Sequence, residues 1–177
     1  MKFEKLKIFD LVLIKSDIFS DERGHFRRSF CKEEIKKNCC NFDVKQGNIS
    51  ENFKKFTLRG FHYQKGSQKE SKIITPITGE IFNVVIDLRK NSKTYKEFVS
   101  ITLNDNDKYS LFIPGGCANA FLTLKDNTII HYYMGDYFNP DTYSGIRYND
   151  PFFSIKWPHQ PAHISLRDQE FSDFVDE

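Results

Sequence analysis

The chain has 177 residues, the length of one domain (residues 1–177), and its Lys+Arg 26 against Asp+Glu 24 give a net charge of +2. This balance provides no driving force for binding nucleic acid. Hydrophobic residues make up 39% and charged residues 28%, which excludes a disordered chain, and no apolar stretch approaches the ~20 residues that span a membrane. Because the N-terminus lacks a secretory pattern and the 4 cysteines form no C-x-x-C pair, we expect a cytoplasmic protein with reduced thiols.

Short strand-like segments separated by turn formers fill most of the chain, which predicts an antiparallel β-sandwich or barrel. Two segments are typical of helices, Lys32–Asn38 and Ser165–Phe174. The second begins with Ser165 and has Asp168 three residues later, an N-terminal capping pattern, so we expect a helix folded against the barrel. The predicted strands are Phe56–Gln64, Ser71–Ile77, Glu80–Arg89, Glu97–Leu103, Tyr109–Pro114, Asn119–Leu124 and Thr128–Phe138.

The segment Leu58–Gln64 combines a strand-like sequence with an arginine, a glycine and a histidine. Strict alternation would place Arg59 and His62 on opposite faces of the sheet. A bulge at Gly60 could turn both side chains inward. The alternative is an edge strand whose polar residues face solvent, and this segment alone does not exclude it.

A series of motifs extends over essentially the whole chain in a fixed order. Together they resemble the dTDP-4-dehydrorhamnose 3,5-epimerase family, whose members are cupin-like (jelly-roll) β-barrels. The resemblance implies a mainly β fold with a few short helices, a homodimer without a metal or organic cofactor, and a role in bacterial surface-polysaccharide synthesis. The implied substrate is a nucleotide-linked 4-keto-6-deoxy sugar, inverted at C3, at C5 or at both. The motifs are DERGHFRRSF, LRGFHYQ, ESKI, GEIFNVVIDLRKNSKTY, LFIPGGCANAFLTL, IRYNDP and SLRDQE.

The family's chemistry gives four residues catalytic roles by resemblance. A ketone at C4 acidifies the hydrogens on C3 and C5, so inversion needs a base, an acid on the opposite face and a group that stabilises the enolate. His62 is the implied base, because an imidazole can take up a proton near neutral pH, and Asp168 would orient it. Tyr132 is the implied acid, and Lys72 would stabilise the enolate oxygen.

The resemblance assigns further residues to substrate binding. The planar fork of an arginine donates two hydrogen bonds at once, which suits a diphosphate. Amide side chains suit the sugar and nucleoside, and exposed aromatic rings suit a nucleobase. The implied contacts are Arg23, Arg59 and Arg167 for the diphosphate, Gln46 and Asn48 for the nucleotide sugar, and Phe26 and Tyr137 for the base.

Three implied substrate-binding positions depart from the family pattern. Asn119 replaces a histidine; it can still donate a hydrogen bond to a carbonyl but cannot transfer a proton. Arg28 and Tyr143 replace acidic residues that lie near the nucleotide. These two changes motivate the hypothesis of a different substrate, such as a GDP-linked 4-keto-6-deoxy-heptose.

Three other functions are alternatives to the epimerase. A metal-dependent dioxygenase would need clustered ligands such as an H-x-H pair, and none of the 5 histidines has that spacing. A 3,4-ketoisomerase would use the same acidified hydrogens on the same barrel. An inactive sugar-binding protein would leave costly inward polar groups without a purpose.

Overall fold

The computed structural model describes residues 1–66 and 70–176, which contain fourteen strands and two short helices. The strands are β1 (Lys2–Lys5), β2 (Val12–Lys15), β3 (Ile18–Asp21), β4 (Gly24–Arg27), β5 (Gln46–Asn52), β6 (Thr57–Gln64), β7 (Lys72–Thr78), β8 (Glu80–Asp87), β9 (Phe98–Asn104), β10 (Tyr109–Ile113), β11 (Cys117–Thr123), β12 (Thr128–Met134), β13 (Tyr143–Gly145) and β14 (His163–Ile164). The helices are α1 (Lys32–Asn38) and α2 (Leu166–Gln169).

Most of the strands form two facing sheets. The first sheet has the order β1-β2-β10-β7-β12-β5, and all its neighbours are antiparallel. The second has the antiparallel order β13-β6-β11-β8-β9, and β14 adds a parallel pairing to β6. β3 and β4 form a separate hairpin. The predicted antiparallel β-architecture is therefore confirmed.

The main core lies between the two sheets. Ile74 and Leu111 of the first sheet pack there with Ile81, Val85 and other apolar residues of the second. Side chains alternate along a strand, so the intervening residues of β8 and β11 point to the outer face of the second sheet. The segment after β13 covers that face through Trp157 and its neighbours, which is why these two strands are apolar on both sides.

The sequence predicted the central strands and α1 well, and the ends of the chain less well. Seven predicted strands correspond to β6 through β12, with ends that differ by at most four residues. β1 to β5, β13 and β14 were not predicted. The small hairpin of β3 and β4 is largely exposed, so it lacks the apolar alternation that would signal a strand.

The predicted C-terminal helix is shorter than expected. The Ser165 hydroxyl oxygen accepts the N–H of Asp168 at 3.1 Å, which confirms the capping pattern, but α2 ends at Gln169. Phe174 instead packs against Phe152 and Phe153, with ring centroids 5.2 Å apart in both pairs. Burial of this aromatic residue outweighs continuation of a short helix.

The loop after β8 is held by the Asp87 carboxylate, which is fully buried. It accepts hydrogen bonds from Arg89 Nε at 2.8 Å, Ser92 Oγ at 2.6 Å and Thr94 Oγ1 at 2.7 Å. Burial by itself raises the pKa of Asp87, but these donors outweigh it and lower the pKa to about 2. The carboxylate is therefore an ionised anchor for the loop.

Within residues 1–66 and 70–176, neither helix combines the length and the hydropathy that a membrane crossing needs.

Candidate active site

A cavity of about 470 Å³ lies between the two sheets and is lined from both of them. Eight of the side chains that the sequence singled out reach it. The first sheet contributes four of them and the second sheet contributes the other four. These residues are Gln46, Asn48, Lys72 and Tyr132 on the first sheet, and Arg59, His62, Asn119 and Tyr143 on the second.

A bulge at Gly60 turns both Arg59 and His62 towards this cavity. The register between β6 and β11 shifts between the pairs Asn119↔His62 and Phe121↔Arg59. Gly60 has φ +114, and a Cβ there would lie 2.5 Å from the Asn119 carbonyl oxygen. Only glycine fits this close approach of two strands, so the predicted bulge is confirmed.

His62 and Asp168 form a hydrogen-bonded pair at the edge of the cavity. Nε2 of His62 lies 2.8 Å from Oδ1 of Asp168, and Oδ2 accepts the Gly60 N–H at 3.1 Å. Burial raises the pKa of the Asp168 carboxyl, but the bonds from His62 and Gly60 outweigh it and hold this pKa below its ordinary value. With Nε2 engaged by a charged carboxylate, Nδ1 is the ring nitrogen left to exchange a proton with a ligand.

Tyr132 faces the cavity from the opposite sheet. It lies on β12, between Asn48 of β5 and Ile74 of β7. Its neighbour Tyr133 points to the other face of the sheet and packs against Phe30, with ring centroids 5.2 Å apart. Burial raises the pKa of Tyr132, although Arg59 opposes this, so the phenol keeps its proton at neutral pH.

Lys72 points inward and is paired with a buried carboxylate that the sequence reasoning missed. Its Nζ lies 2.7 Å from Oε1 of Glu70, and the two side chains are only 11% and 7% exposed. Gln64 Nε2 donates to the other carboxylate oxygen at 3.1 Å. A buried lysine is costly unless it is paired, and Glu70 meets that requirement. Glu70 lies two residues before Lys72, outside β7, so strand alternation gave no signal for it.

Tyr143 lies against the histidine. Its ring centroid is 5.2 Å from that of His62, and the Arg167 guanidinium carbon lies 4.0 Å from the centroid of the Tyr143 ring. Burial and the nearby Asp168 carboxylate raise the pKa of Tyr143, while Arg167 lowers it by less. Arg167 does not line the cavity; it lies in an adjoining groove of about 780 Å³ that shares Arg59, His62 and Tyr143 with it.

Besides Arg167, four predicted contact residues lie outside the cavity. Arg23 and Phe26 belong to the exposed hairpin of β3 and β4, and Arg28 follows it. Arg23 pairs with Asp21, and Arg28 pairs with Glu34 at 3.0 Å. The fourth is Tyr137, which follows β12 and is 61% exposed.

Other residues of the cavity wall were not singled out from the sequence. Four of them lie two residues from a predicted site residue on the same strand, so alternation was the signal that could have found Ser50, Ile74, Phe121 and Met134. The missed lining residues are Ser50, Tyr63, Glu70, Ile74, Phe121, Met134 and Phe138. No group of three or more His, Cys, Asp or Glu side chains suited to a metal occurs among the residues that the structure describes. The dioxygenase alternative requires such a group.

Comparison with known proteins identifies the family. A family model described as dTDP-4-dehydrorhamnose 3,5-epimerase matches residues 5–176. The chain belongs to this family. The dTDP-4-dehydrorhamnose 3,5-epimerase of Methanothermobacter thermautotrophicus is 36% identical over 157 residues, which cover 89% of this chain and 84% of that protein.

Solved structures of the family superpose closely. The epimerase from Bacillus anthracis, with TDP and PPi bound, has a TM-score of 0.93 at 30% identity and covers 98% of this chain and 99% of its own. The Legionella pneumophila enzyme in complex with dTDP-4-keto-L-rhamnose has a TM-score of 0.90 at 30% identity, covering 97% and 92%. The cupin-like fold is thus confirmed, and the protein is an isomerase of the carbohydrate epimerase kind that acts on a nucleotide-linked sugar.

Proposed function

We propose that this epimerase inverts C3 and C5 of a dTDP-linked 4-keto-6-deoxy sugar, with His62 as the base and Tyr132 as the acid. The observation that carries the proposal is their placement, since His62 enters the cavity from the second sheet and Tyr132 from the first. A sugar ring held between the sheets has one of these groups on each face. Removal of a proton from one face and return of a proton to the other is the definition of inversion at carbon.

The chemistry begins with proton abstraction next to the ketone. His62 takes the hydrogen from C3 or C5 as a proton, and the C–H electron pair forms an enolate whose charge lies on the C4 oxygen. Tyr132 then gives its phenolic proton to the same carbon from the opposite face. Exchange with solvent returns the imidazolium and the phenolate to their starting states before the second carbon reacts. General acid and base groups contribute about 10²–10⁴-fold each to such steps.

Asp168 supports the base and Lys72 supports the enolate. The charged Asp168 carboxylate fixes the imidazole through Nε2 and stabilises it once it is protonated. Lys72 is held in the cavity by Glu70, so its positive charge is in place before the enolate forms. A charge that needs no reorganisation during the reaction stabilises the transition state efficiently.

The remaining polar side chains suit the nucleotide part of the substrate. Arg59 and Arg167 lie in the groove beside the cavity, where two guanidinium groups can hold a diphosphate. Gln46 and Asn48 line the cavity from the first sheet and suit the sugar and nucleoside. The choice of dTDP is supported by the names of the relatives and by the TDP and dTDP-4-keto-L-rhamnose in the solved structures.

A GDP-linked 4-keto-6-deoxy-heptose is the alternative substrate. The argument for it was that Arg28 and Tyr143 replace acidic residues near the nucleotide, and the positions of these two side chains weaken that argument. Tyr143 lies against the catalytic His62, so its identity bears on the sugar end of the ligand. Arg28 lies outside the cavity of its own chain. Titration of the protein with dTDP and with GDP decides between them, and tighter binding of GDP would overturn the dTDP assignment.

The active form is proposed to be a homodimer in which the hairpin of β3 and β4 reaches the partner. Apolar side chains on it are exposed, with Phe19 at 66% and Phe26 at 71%. Arg23 and Phe26, which the resemblance assigns to substrate binding, lie on this hairpin and outside the cavity of their own chain. Light scattering tests this: we expect twice the chain mass of 20.9 kDa, and a monomer with full activity would contradict it.

The decisive experiment follows deuterium uptake by NMR. The protein is incubated in D₂O with dTDP-4-keto-6-deoxy-glucose, and signals at C3 and C5 are monitored for exchange and inversion. We expect exchange at both carbons, and a loss of about 10²-fold or more in His62→Ala and Tyr132→Phe with unchanged circular dichroism. Tyr133→Phe, on the other face of β12, is the matched control and should keep its turnover.

Other outcomes of the same experiment have defined meanings. Near wild-type turnover in both His62→Ala and Tyr132→Phe would refute the catalytic assignment. Exchange at one carbon alone would mean that the enzyme inverts a single centre. A carbonyl that migrates from C4 to C3 would identify a ketoisomerase, and binding without exchange would identify an inactive sugar-binding protein. The proposed product is a precursor for surface-polysaccharide synthesis, as the resemblance implies.

A further inference from the structure

The orientation of one amide in the cavity is fixed by the backbone. Nδ2 of Asn119 lies 2.9 Å from the main-chain carbonyl oxygen of Val84 and 2.8 Å from Oδ1 of Asn83. A main-chain carbonyl can only accept a hydrogen bond, so the atom that faces it must be the NH₂ group. The Asn119 amide therefore cannot be turned over without bringing two oxygens together.

This arrangement leaves the amide nitrogen of Asn83, the residue before Val84, without a hydrogen bond among the described residues. Asn83 must present its oxygen to the Asn119 NH₂ group, and its own Nδ2 is then left in the fully buried interior. That nitrogen is one of the buried polar atoms without a hydrogen-bond partner within residues 1–66 and 70–176. Turning Asn83 over would place two donors against each other, so the unpaired nitrogen follows from the orientation that Val84 imposes.

What Asn119 presents to the cavity is consequently an acceptor. Nδ2 is the donor in both of its short hydrogen bonds. Oδ1 has no partner in the described part of the chain, and Asn119 lines the cavity directly opposite His62 in the β6–β11 pairing. An asparagine can in general donate a hydrogen bond to a carbonyl, but in this geometry the group of Asn119 that faces the ligand cannot donate.

We infer that Asn119 Oδ1 accepts a hydrogen bond from the sugar hydroxyl on C3. The inference rests on the proposed function, which places C3 or C5 next to His62. Of these two carbons only C3 carries a hydroxyl in a 4-keto-6-deoxy sugar, and Asn119 is the cross-strand neighbour of His62. A carbonyl oxygen would repel a developing enolate, so the C4 oxygen turns away from Asn119 and towards Lys72 on the opposite sheet. Asn119 is thereby a residue that selects a sugar with a donor at C3.

The test measures binding of unreactive ligands to the wild-type protein first. dTDP-6-deoxy-glucose is compared by calorimetry with its 2-deoxy, 3-deoxy and 3-deoxy-3-fluoro analogues. One neutral hydrogen bond corresponds to about a three- to tenfold change in Kd. We expect this loss for the 3-deoxy and the 3-fluoro analogues equally, because fluorine cannot donate. If the fluoro analogue binds as well as the parent, the protein group is a donor and the inference is overturned.

Variants then assign the effect to Asn119. In Asn119→Ala, which removes the acceptor, the 3-deoxy analogue should bind no more weakly than the parent sugar. Asn48→Ala, which removes another amide from the cavity wall, is the matched control and should keep the three- to tenfold penalty. An equal 3-deoxy penalty in the wild type and in Asn119→Ala overturns the inference and leaves the epimerase assignment intact. If the wild type neither binds the parent sugar nor exchanges deuterium, both the inference and the epimerase assignment are overturned.

Discussion

Two buried carboxylates, Asp87 and Asp168, differ in where their hydrogen-bond partners lie. Asp87 is fully buried, and three of its side-chain donors belong to the loop that follows β8. The fourth is the Cys117 thiol of the neighbouring strand β11, whose Sγ lies 3.9 Å from Oδ1. Asp168 is also buried, but its partners His62 and Gly60 lie more than a hundred residues away, and one of them opens into the cavity. Both carboxyls have a lowered pKa. A lowered pKa alone therefore does not mark a catalytic group; the partner that can exchange a proton does.

The largest expected difference between the two is in turnover. Asp168→Asn removes the charge that stabilises protonated His62 and should lower kcat by about 10²–10⁴-fold. Asp87→Asn should leave kcat of the folded protein unchanged, because Asp87 does not line the cavity. Steady-state kinetics on both variants measures this. Wild-type turnover in Asp168→Asn would mean that Asp168, like Asp87, has only a structural role.

The next effect concerns the glycine that donates to Asp168. Gly60→Ala should lower the free energy of unfolding by about 3 kcal/mol, because Cβ would lie 2.5 Å from the Asn119 carbonyl oxygen at an unfavourable φ. Gly24→Ala is a matched control with φ +124 and no atom within 4 Å of its Cβ, so it has backbone strain without a clash. Urea unfolding of both variants measures the difference, and equal losses would mean that the close approach of β6 and β11 is unimportant.

Asp87→Asn should reduce the free energy of unfolding by about 2 kcal/mol at pH 7, since the folded protein holds the pKa of this carboxyl at about 2 against an ordinary value of 3.8. Chemical denaturation at constant pH measures it. A loss below the error of the measurement would show that Arg89 and the two hydroxyls do not stabilise the charged form.

The same group sets a pH dependence with a definite sign. Between about pH 4 and pH 2 the unfolded chain binds a proton at Asp87 that the folded protein does not, so stability falls as the pH falls. Asp87→Asn lacks this proton uptake. The difference in unfolding free energy between wild type and variant should therefore shrink as the pH is lowered towards 2, and a constant difference would contradict the assignment.

The smallest effects come from the serines beside each carboxylate. Ser165→Ala removes the cap of α2, and Ser92→Ala removes a donor to Asp87; each should cost about 1 kcal/mol of stability. Only Ser165→Ala should also reduce turnover, by a few-fold, because α2 positions Asp168 against His62. Thermal unfolding measures the effect on stability and steady-state kinetics the effect on turnover. A loss of turnover in Ser92→Ala would contradict a purely structural role for Asp87.

Much of the site was readable from the sequence where a local rule applied. The bulge followed from a glycine between Arg59 and His62, and the cap followed from the spacing of Ser165 and Asp168. The family resemblance distinguished Tyr132 from Tyr133, and the strand alternation observed in the structure agrees with it.

What the sequence missed depends on contacts between distant strands. Asn83 of β8 accepts a hydrogen bond from Asn119 of the neighbouring strand β11, and no spacing within the sequence reveals that pair. β5 was missed because its alternating face lines a cavity with polar Gln46, Asn48 and Ser50, so the apolar periodicity that signals a strand is absent.

The division of His62 and Tyr132 between facing sheets has a consequence for evolution and design. Facing sheets pack about 10 Å apart, so the thickness available to a sugar ring is set by the apolar layer that separates them beside the cavity. Ile81, Val85 and Leu111 belong to that layer and do not themselves line the cavity. Substitutions that change the size of these side chains would change the distance between the sheets and so the space above and below the sugar ring. Evolution or design can therefore alter the size of sugar that the enzyme accepts through residues that do not contact the substrate.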